Sequence, residues 1–250
     1  MTYDDMGFPV SVSGPARRVV SLVPSLTEAI AHTRREALVG ATDWCTHPAG
    51  LDVARVRGTK NPDRAAIAAL RPDLVIANKE ENRELDVRML RAAGIPVWVT
   101  VIQTVPQALD SLTRLFTEAL CWPLPDWLVE ARRLWSHPLP PVRARVAIPV
   151  WRDPWMVVGS ATFTGDLARR LGLANVFADH PERYPKVALA DIDRDDVDLV
   201  VLPDEPYAFT PQDGPEAFRC APTVLVSGRL LTWYGPSLLH AKEGLAALVQ

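Results

Sequence analysis

Two pairs of acidic residues follow apolar segments that have the composition of buried parallel strands. Glu80 and Glu81 come after the first segment, and Asp204 and Glu205 come after the second. Continuous apolar runs of this length are typical of strands that are buried on both faces. Ligands of open parallel sheets bind beyond the carboxyl ends of the strands. The sequence therefore predicts that both pairs lie at a ligand site.

Aromatic rings accumulate near the predicted strand ends and suit a large, flat ligand. Such a ligand needs ring faces for contact area and a few polar groups that fix its orientation. Residues 151–155 form the densest cluster, because they follow a predicted strand directly and combine two indoles with a cation. The alternative is that individual rings fill core positions. The predicted ligand contacts are Trp44, Lys60, Asn78, Glu80, Glu81, Trp151, Arg152, Trp155, Tyr184, Asp204, Glu205, Tyr207, Trp233 and Tyr234.

Cys45 and His47 lie two residues apart in a predicted loop and form a candidate metal site. A thiolate and an imidazole could share zinc or iron with Glu80 or Glu81. The alternative is structural, since the C-x-H spacing lacks the paired ligands of a zinc site and a lone cysteine commonly acts as a small buried residue. No catalytic residue is predicted, because the chain has no phosphate-binding glycine loop and no G-x-S-x-G elbow.

Composition excludes several classes of protein. Of the 250 residues, 48% are apolar and 23% are charged, which is ordinary for a globular chain. The formal net charge of −3 and the absence of basic clusters interleaved with aromatics argue against a nucleic-acid partner. No apolar run approaches the roughly 18 to 20 residues of a bilayer span. The expected partner is therefore a small-molecule ligand, and the chain is not expected to insert into a membrane.

The N-terminal residues and the cysteines predict a cytoplasmic location. The first six residues include two aspartates where a secretory signal would be basic, and no apolar segment follows them. The three cysteines, Cys45, Cys121 and Cys220, are odd in number and widely spaced. We therefore expect reduced thiols.

The order of elements predicts an α/β fold of two three-layer lobes with mostly parallel sheets. Apolar runs at 18–23, 37–42, 74–77 and 96–99 alternate with helices, the first of which is predicted to start at Ser25 with a capping box to Glu28. Residues 104–136 read as helical with a break at 121–125, and a second alternation follows from 145. We predict an N-terminal lobe over 1–103, a helical linker over 104–141 and a C-terminal lobe over 142–250.

Several segments resemble a known family. RVVSLVPSLTE at 18–28 and RPDLVIA at 71–77 resemble the opening of the class III periplasmic binding proteins for cobalamin and iron siderophores. GTKNPD at 58–63, ANKEEN at 77–82 and LTWYGP at 231–236 resemble the helical-backbone metal receptor branch. The resemblance covers nearly the whole chain. It implies a fold of two α/β lobes bridged by a rigid helix. It also implies that the ligand is a corrinoid, a metal chelate or a metal ion.

The chain also departs from that family. Exported members carry a signal sequence, which this sequence is expected to lack. Asp63 aligns near one of the two surface glutamates that exported cobalamin binders use to dock on their permease, but Ala190 aligns with the other. These departures argue against docking to an ABC-type importer. The predicted bridging helix, Asp126–Trp135, would span only about 15 Å at 1.5 Å per residue.

Together these features predict a non-catalytic small-ligand binding protein. The corrinoid, metal chelate or metal ion would lie in the inter-lobe cleft, and no further cofactor is implied. The alternative is an enzyme of cofactor or metal-chelate metabolism that uses the cleft carboxylates as acid and base. The sequence does not choose between the two functions.

Overall fold

The structure is a computed structural model that describes residues 1–249, and the chain divides into two compact units. The first unit comprises Met1–Ile102, Pro106–Arg133 and Tyr234–Pro236. The second comprises Gln103–Val105, Leu134–Trp233 and the residues from Ser237 onward. Each unit is built on its own parallel sheet, which confirms the predicted α/β fold class. The predicted domain boundaries at 103 and 141 stay a prediction.

The strands of the first unit are β1 (Thr2–Tyr3), β2 (Pro9–Val10), β3 (Val19–Ser21), β4 (Leu38–Ala41), β5 (Ala54–Arg55), β6 (Arg57–Gly58), β7 (Asn61–Pro62), β8 (Leu74–Asn78) and β9 (Val97–Thr100). The helices of this part of the chain are α1 (Pro24–Arg34), α2 (Arg64–Ala69), α3 (Glu84–Ala92), α4 (Val105–Arg114) and α5 (Asp126–Trp135). Short turns of 3-10 and π-helix follow α1 and α4, at Arg35–Ala37 and Leu115–Ala119.

The first sheet has the strand order β5-β4-β3-β8-β9, and all its pairs are parallel. From β3 the chain goes to β4 on one side and later to β8 on the other. This reversal makes the carboxyl ends of β3 and β8 a topological switch point, where open α/β sheets bind ligands. Val20, Leu22, Val75 and Ala77 lie in the core cluster beneath, with no exposed surface.

The first helix starts earlier than predicted. The capping box of Ser25 with Glu28 is wrong, because the cap lies two residues earlier, at Val23, which makes no side-chain bond, and Pro24 opens α1. Proline suits that position because its fixed φ is helical and its missing N–H has no intrahelical partner there. The cap of α2 is Asp63, whose Oδ1 accepts from Ala66 N at 3.0 Å.

Two aspartates fasten the N-terminal hairpin to the first unit. Asp4 is 3% exposed, accepts from Phe8 N at 2.8 Å and Val99 N at 3.2 Å, and pairs with Arg91. Asp5 accepts from Val101 N at 3.0 Å and pairs with Arg114. The acidic residues at the start of the sequence therefore have a structural role in this fold.

The strands of the second unit are β10 (Ala144–Ala147), β11 (Pro149–Trp151), β12 (Met156–Val157), β13 (Leu173–Asn175), β14 (Leu199–Pro203) and β15 (Thr223–Val226). Its helices are α6 (Phe163–Arg170), α7 (Leu189–Ile192), α8 (Gly228–Thr232) and α9 (Leu238–Gly244), with 3-10 turns at Pro215–Ala217 and Ala246–Val249. The parallel sheet has the order β13-β10-β14-β15, so its switch point lies between β10 and β14. Within residues 1–249, no helix combines the length and the hydrophobicity that a bilayer span requires.

Candidate functional site

The turn after β8 is held by two buried asparagines. Asn82 Oδ1 accepts from Asn78 N at 2.8 Å, and Asn78 Oδ1 accepts from Glu80 N at 2.8 Å. Asn82 Nδ2 also donates to Leu22 O at 3.2 Å, just after β3. The amides therefore fix the turn at the first switch point. Asn78, predicted as a ligand contact, is 2% exposed and holds the turn instead.

Glu80 and Glu81 are half-buried in this turn and precede helix α3, which begins at Glu84. Glu81 Oε1 accepts a hydrogen bond from the Tyr234 hydroxyl at 3.3 Å. Tyr234 is 7% exposed, and burial together with the nearby Glu81 charge raises the pKa of its phenol well above 10. The phenol therefore keeps its proton and serves as a hydrogen-bond donor.

The segment that delivers Tyr234 packs closely on the first turn of α1. A Cβ at Gly235 would lie 3.1 Å from Ser25 O and 3.8 Å from Ala29 Cβ. Only a residue without a side chain lets the backbone pass at this distance without a shift. Gly235 thus allows Tyr234 to reach the acidic turn.

Trp44 lies in the loop after β4 and is 68% exposed, although it is a large apolar ring. The β6–β7 hairpin lies beside it, since a Cβ at Gly58 would be 3.4 Å from Trp44 Nε1. Lys60 in the same hairpin donates to the carbonyl of Glu80. One hairpin therefore contacts both the exposed indole and the acidic turn of the first unit.

The structure does not support the predicted metal site at Cys45 and His47. Cys45 is fully buried and its thiol lies 3.0 Å from Thr27 Oγ1 and 3.1 Å from Thr42 Oγ1, whereas His47 is exposed. Burial raises the pKa of the Cys45 thiol, which disfavours the thiolate that a metal needs. Among residues 1–249, no three His, Cys, Asp or Glu side chains are grouped to hold a metal ion.

In the second unit an aromatic pair joins the end of β11 to the segment that follows β14. Trp151, at the end of β11, is 45% exposed and meets Tyr207 edge to face, with the ring centroids 5.5 Å apart. The Tyr207 hydroxyl donates to Asp213 Oδ2 at 2.6 Å, and this bond raises the pKa of the phenol. Arg152 pairs with both Asp213 and Glu216. Its charge is therefore balanced within the protein.

Two other predicted ligand contacts, Trp155 and Tyr184, are buried or half-buried. Trp155 is 9% exposed in the core cluster of the second unit and stacks on Phe209 with the ring centroids 6.0 Å apart. Its ring face is used in packing, so we do not retain it as a ligand contact. Tyr184 is half-buried in the segment between β13 and α7.

Asp204 and Glu205 follow β14 directly, as predicted. Asp204 is exposed and its Oδ1 accepts from Gly228 N at 2.6 Å. Glu205 is partly buried, and desolvation together with the Asp204 charge raises the pKa of its carboxyl to about 7. Trp233, which is 6% exposed, donates a hydrogen bond to this carboxyl.

Sequence reasoning missed the residues that position these groups. Asp213 and Gly228 lie at turns beside the candidate site but belong to no recognisable motif, and Asn82 ends the segment 77–82 without being predicted to hold the turn. For Asn82 a signal existed, because asparagines just after a strand are common turn formers. For Asp213 there was none, since its partner Arg152 is 61 residues away.

The fold and the two sheet edges define a class of ligand-binding α/β protein, and comparisons with known proteins show which proteins it is similar to. No protein-family model matches the chain. A vitamin B12-binding protein of Pectobacterium carotovorum is 25% identical over 242 residues, which is 92% of this chain and 87% of that protein.

Two solved structures share the fold. The periplasmic vitamin B12-binding protein BtuF of Vibrio cholerae has a TM-score of 0.74 at 19% identity, covering 94% of this chain and 97% of that one. A periplasmic haem-binding protein of Pseudomonas aeruginosa has a TM-score of 0.73 at 21% identity, covering 94% and 92%.

These similarities in sequence and fold support the predicted resemblance to the class III periplasmic-binding-protein-like family. The prediction of a cytoplasmic location is wrong, because these relatives are periplasmic binding proteins. Assignment to the helical-backbone metal receptor branch stays a prediction.

Proposed function

We propose that this chain is a non-catalytic binding protein whose ligand is a corrinoid. The observation that carries the proposal is an exposed indole in each unit, Trp44 in the loop after β4 and Trp151 at the end of β11. Exposed apolar rings at ligand-binding edges provide contact area for a flat ligand. The similarity to a vitamin B12-binding protein over 92% of the chain supports the same ligand class.

The polar groups beside the indoles favour a corrinoid over haem or a bare metal ion. A corrinoid carries amides around its ring, which carboxylates, phenols and backbone groups can hydrogen-bond. Haem carries two propionates, which need cations, but Arg152 is already paired with Asp213 and Glu216. A bare ion would need clustered ligands, and residues 1–249 contain no such group. The comparisons give no support to the enzyme alternative.

The residues proposed to contact ligand form a smaller set than the sequence predicts. Asn78 and Trp155 leave the set because each is committed to packing or to the turn, and Cys45 and His47 leave it because they do not form a metal site. Trp233 and Tyr234 are buried like Trp155 and leave the set as well. Arg152 leaves it because it pairs with Asp213 and Glu216, and Glu205 leaves it because its carboxyl is desolvated. Tyr184 stays a prediction, and the members kept are Trp44, Lys60, Glu80, Glu81, Trp151, Asp204 and Tyr207. Importer docking is not part of the proposal, since the Asp63 carboxylate caps α2.

Calorimetric titration with cyanocobalamin, with haemin as comparator, tests the ligand class. We expect measurable affinity for cyanocobalamin and weaker affinity for haemin. Trp44→Ala and Trp151→Ala should each weaken binding about tenfold, or about 1.4 kcal/mol, because each removes a ring face. Trp44→Phe keeps an aromatic face and should retain most of the affinity.

The control is Val129→Ala, which removes apolar surface from α5 at a side chain that is 52% exposed. It should bind like the unmodified protein. Tighter binding of haemin than of cyanocobalamin would show that the ligand class is haem and not a corrinoid. Unchanged affinity in both indole variants would show that these rings do not contact the ligand.

A further inference from the structure

The first unit carries an open groove of about 420 Å³ that is separate from the candidate site. The last turn of α1, residues 32–34, forms one wall of the groove, and residues 122–127 form the other. Helix α1 starts shortly after β3, at the switch point, and its 11 residues span about 16 Å at 1.5 Å per residue. The groove therefore lies at the end of α1 that is far from the acidic turn.

Two indoles hold the walls of this groove in fixed positions. Trp127 Nε1 donates to Thr33 Oγ1 at 3.0 Å, which joins the two walls directly. Trp122 Nε1 donates to Ala16 O at 3.0 Å. Both rings contact Phe116, with centroid separations of 6.1 Å for Trp122 and 5.9 Å for Trp127. The packing of the protein alone therefore forms the groove, as is usual for small-molecule sites.

Arg34 presents its guanidinium group in this groove. The group lies over the Trp122 ring, 4.9 Å from the ring centroid, and this contact helps to hold it in place. Among residues 1–249, its ion-pair partner is Glu36, whose Oε1 lies 3.8 Å from Nε and whose side chain is 79% exposed. The terminal nitrogens, Nη1 and Nη2, make no hydrogen bond within those residues. Because a guanidinium fork matches the two oxygens of a carboxylate, Arg34 can bind a carboxylate here.

The remaining lining of the groove supplies an apolar strip and two polar groups. Leu124 is 37% exposed between Pro123 and Pro125, which have no N–H to donate. His32 is exposed and adds a ring N–H donor. Asp126 is also exposed and repels a second negative charge. The groove therefore fits a small molecule with one carboxylate and an apolar body better than an inorganic anion, which would leave the apolar strip uncovered.

We propose that this groove is a second ligand site of the chain and that it binds a small organic monocarboxylic acid. The carboxylate pairs with the Nη atoms of Arg34, and the apolar body lies against Leu124 and its flanking prolines. Asp126 disfavours acids that carry a further negative charge. The groove volume of about 420 Å³ lies within the roughly 300–1,000 Å³ of small-molecule sites. This inference does not rest on the proposed function, because the groove shares no residue with the proposed corrinoid contacts.

Calorimetric titration with benzoate, with benzamide as comparator, tests the recognition of charge. The two probes have the same ring and nearly the same shape, but only benzoate is charged. Benzoate should bind at least about tenfold more tightly than benzamide, which corresponds to about 1.4 kcal/mol. Equal affinities for the two probes, or no binding of benzoate, would overturn the proposal.

Arg34→Gln tests where the carboxylate binds. The variant removes the guanidinium from a side chain that is 38% exposed, so we expect it to fold, and its affinity for benzoate should fall to that for benzamide. The control is Arg88→Gln, which removes the same charge at an exposed position of α3 and should bind benzoate like the unmodified protein. If Arg34→Gln still prefers benzoate, or if Arg88→Gln also loses the preference, then the carboxylate does not bind at Arg34.

Asp126→Asn is a second variant, whose expected effect has the opposite direction. Because it removes a repulsive charge, it should bind benzoate about threefold more tightly, a small factor since exposed charges interact weakly. Its affinity for benzamide should not change. Unchanged affinity for benzoate would show that the carboxylate lies away from Asp126 and would overturn the site.

Titration with cyanocobalamin in saturating benzoate tests whether the two sites are separate. The affinity for cyanocobalamin should be the same with and without benzoate. Competition between the two ligands would place benzoate at the proposed corrinoid site and would overturn the second site. If cyanocobalamin does not bind at all, the proposed function is refuted, while the benzoate titrations of the unmodified protein and its variants still decide the groove.

Discussion

Replacing Tyr234 by phenylalanine tests the contact that holds Glu81 in place. The change removes one hydroxyl and leaves the buried ring. Hydrogen bonds to charged groups contribute about 1.5 to 3 kcal/mol. The 3.3 Å separation exceeds the usual 2.7 to 2.8 Å of O–H···O bonds, and the half-buried Glu81 carboxylate can regain water. We therefore expect a loss of about 1 kcal/mol at pH 7, which for a chain of this size lowers Tm by about 2–4 °C.

The pH dependence of that loss provides a second measurement. The pKa of the Tyr234 phenol is raised above its unfolded value of 10, so the stability that it contributes is present below pH 10 and is lost as the pH rises further. Tyr234→Phe lacks this alkaline loss. Urea denaturation at pH 7, 9 and 10.5 should show the difference between variant and unmodified protein shrinking above pH 10.

The matched control is Tyr3→Phe, since Tyr3 is 54% exposed and the same hydroxyl is removed. It should leave the free energy of unfolding unchanged within about 0.5 kcal/mol. If Tyr234→Phe behaves like Tyr3→Phe at every pH, then the phenol does not hold Glu81 and the account of the acidic turn is wrong.

Two further predictions concern the first unit. Asp4→Ala should lower the free energy of unfolding by about 3 kcal/mol in urea titrations, because it removes the buried acceptor of Arg91. The control is Asp52→Ala at an exposed position. Equal losses in the two variants would show that Asp4 does not anchor the N-terminal hairpin. Cys45 should react with a thiol reagent at pH 8 far more slowly than the exposed Cys220, since burial shields it and raises its pKa. Equal rates would contradict the buried position of Cys45.

The parallel strands and the acidic residues at their ends were predictable because both signals are local. An apolar run such as 74–77 marks a buried strand by itself, and the residues that follow it must lie at the carboxyl end. The break at 121–125 was predictable for the same reason, since two prolines there interrupt the helix.

The partners of these side chains were not predictable because they are distant in sequence. Tyr234 and Glu81 are 153 residues apart, and Arg152 and Glu216 are 64 apart. The burial of a side chain was not predictable from the sequence either. Trp44 and Trp155 are both tryptophans near strand ends, yet Trp44 is 68% exposed and Trp155 is 9% exposed. Composition cannot separate a ring that packs from one that is free to contact a ligand.

The two acidic pairs look equivalent in the sequence, but the structure gives them different chemistry. In the first unit, Tyr234 keeps its proton and donates to Glu81, so it stabilises a carboxylate. In the second unit, burial and Asp204 favour the neutral form of Glu205, beside the indole of Trp233. Tyr234 therefore stays protonated near neutral pH, whereas the pKa of Glu205 places its ionisation near pH 7. A change of pH through 7 should then act on the second unit's edge.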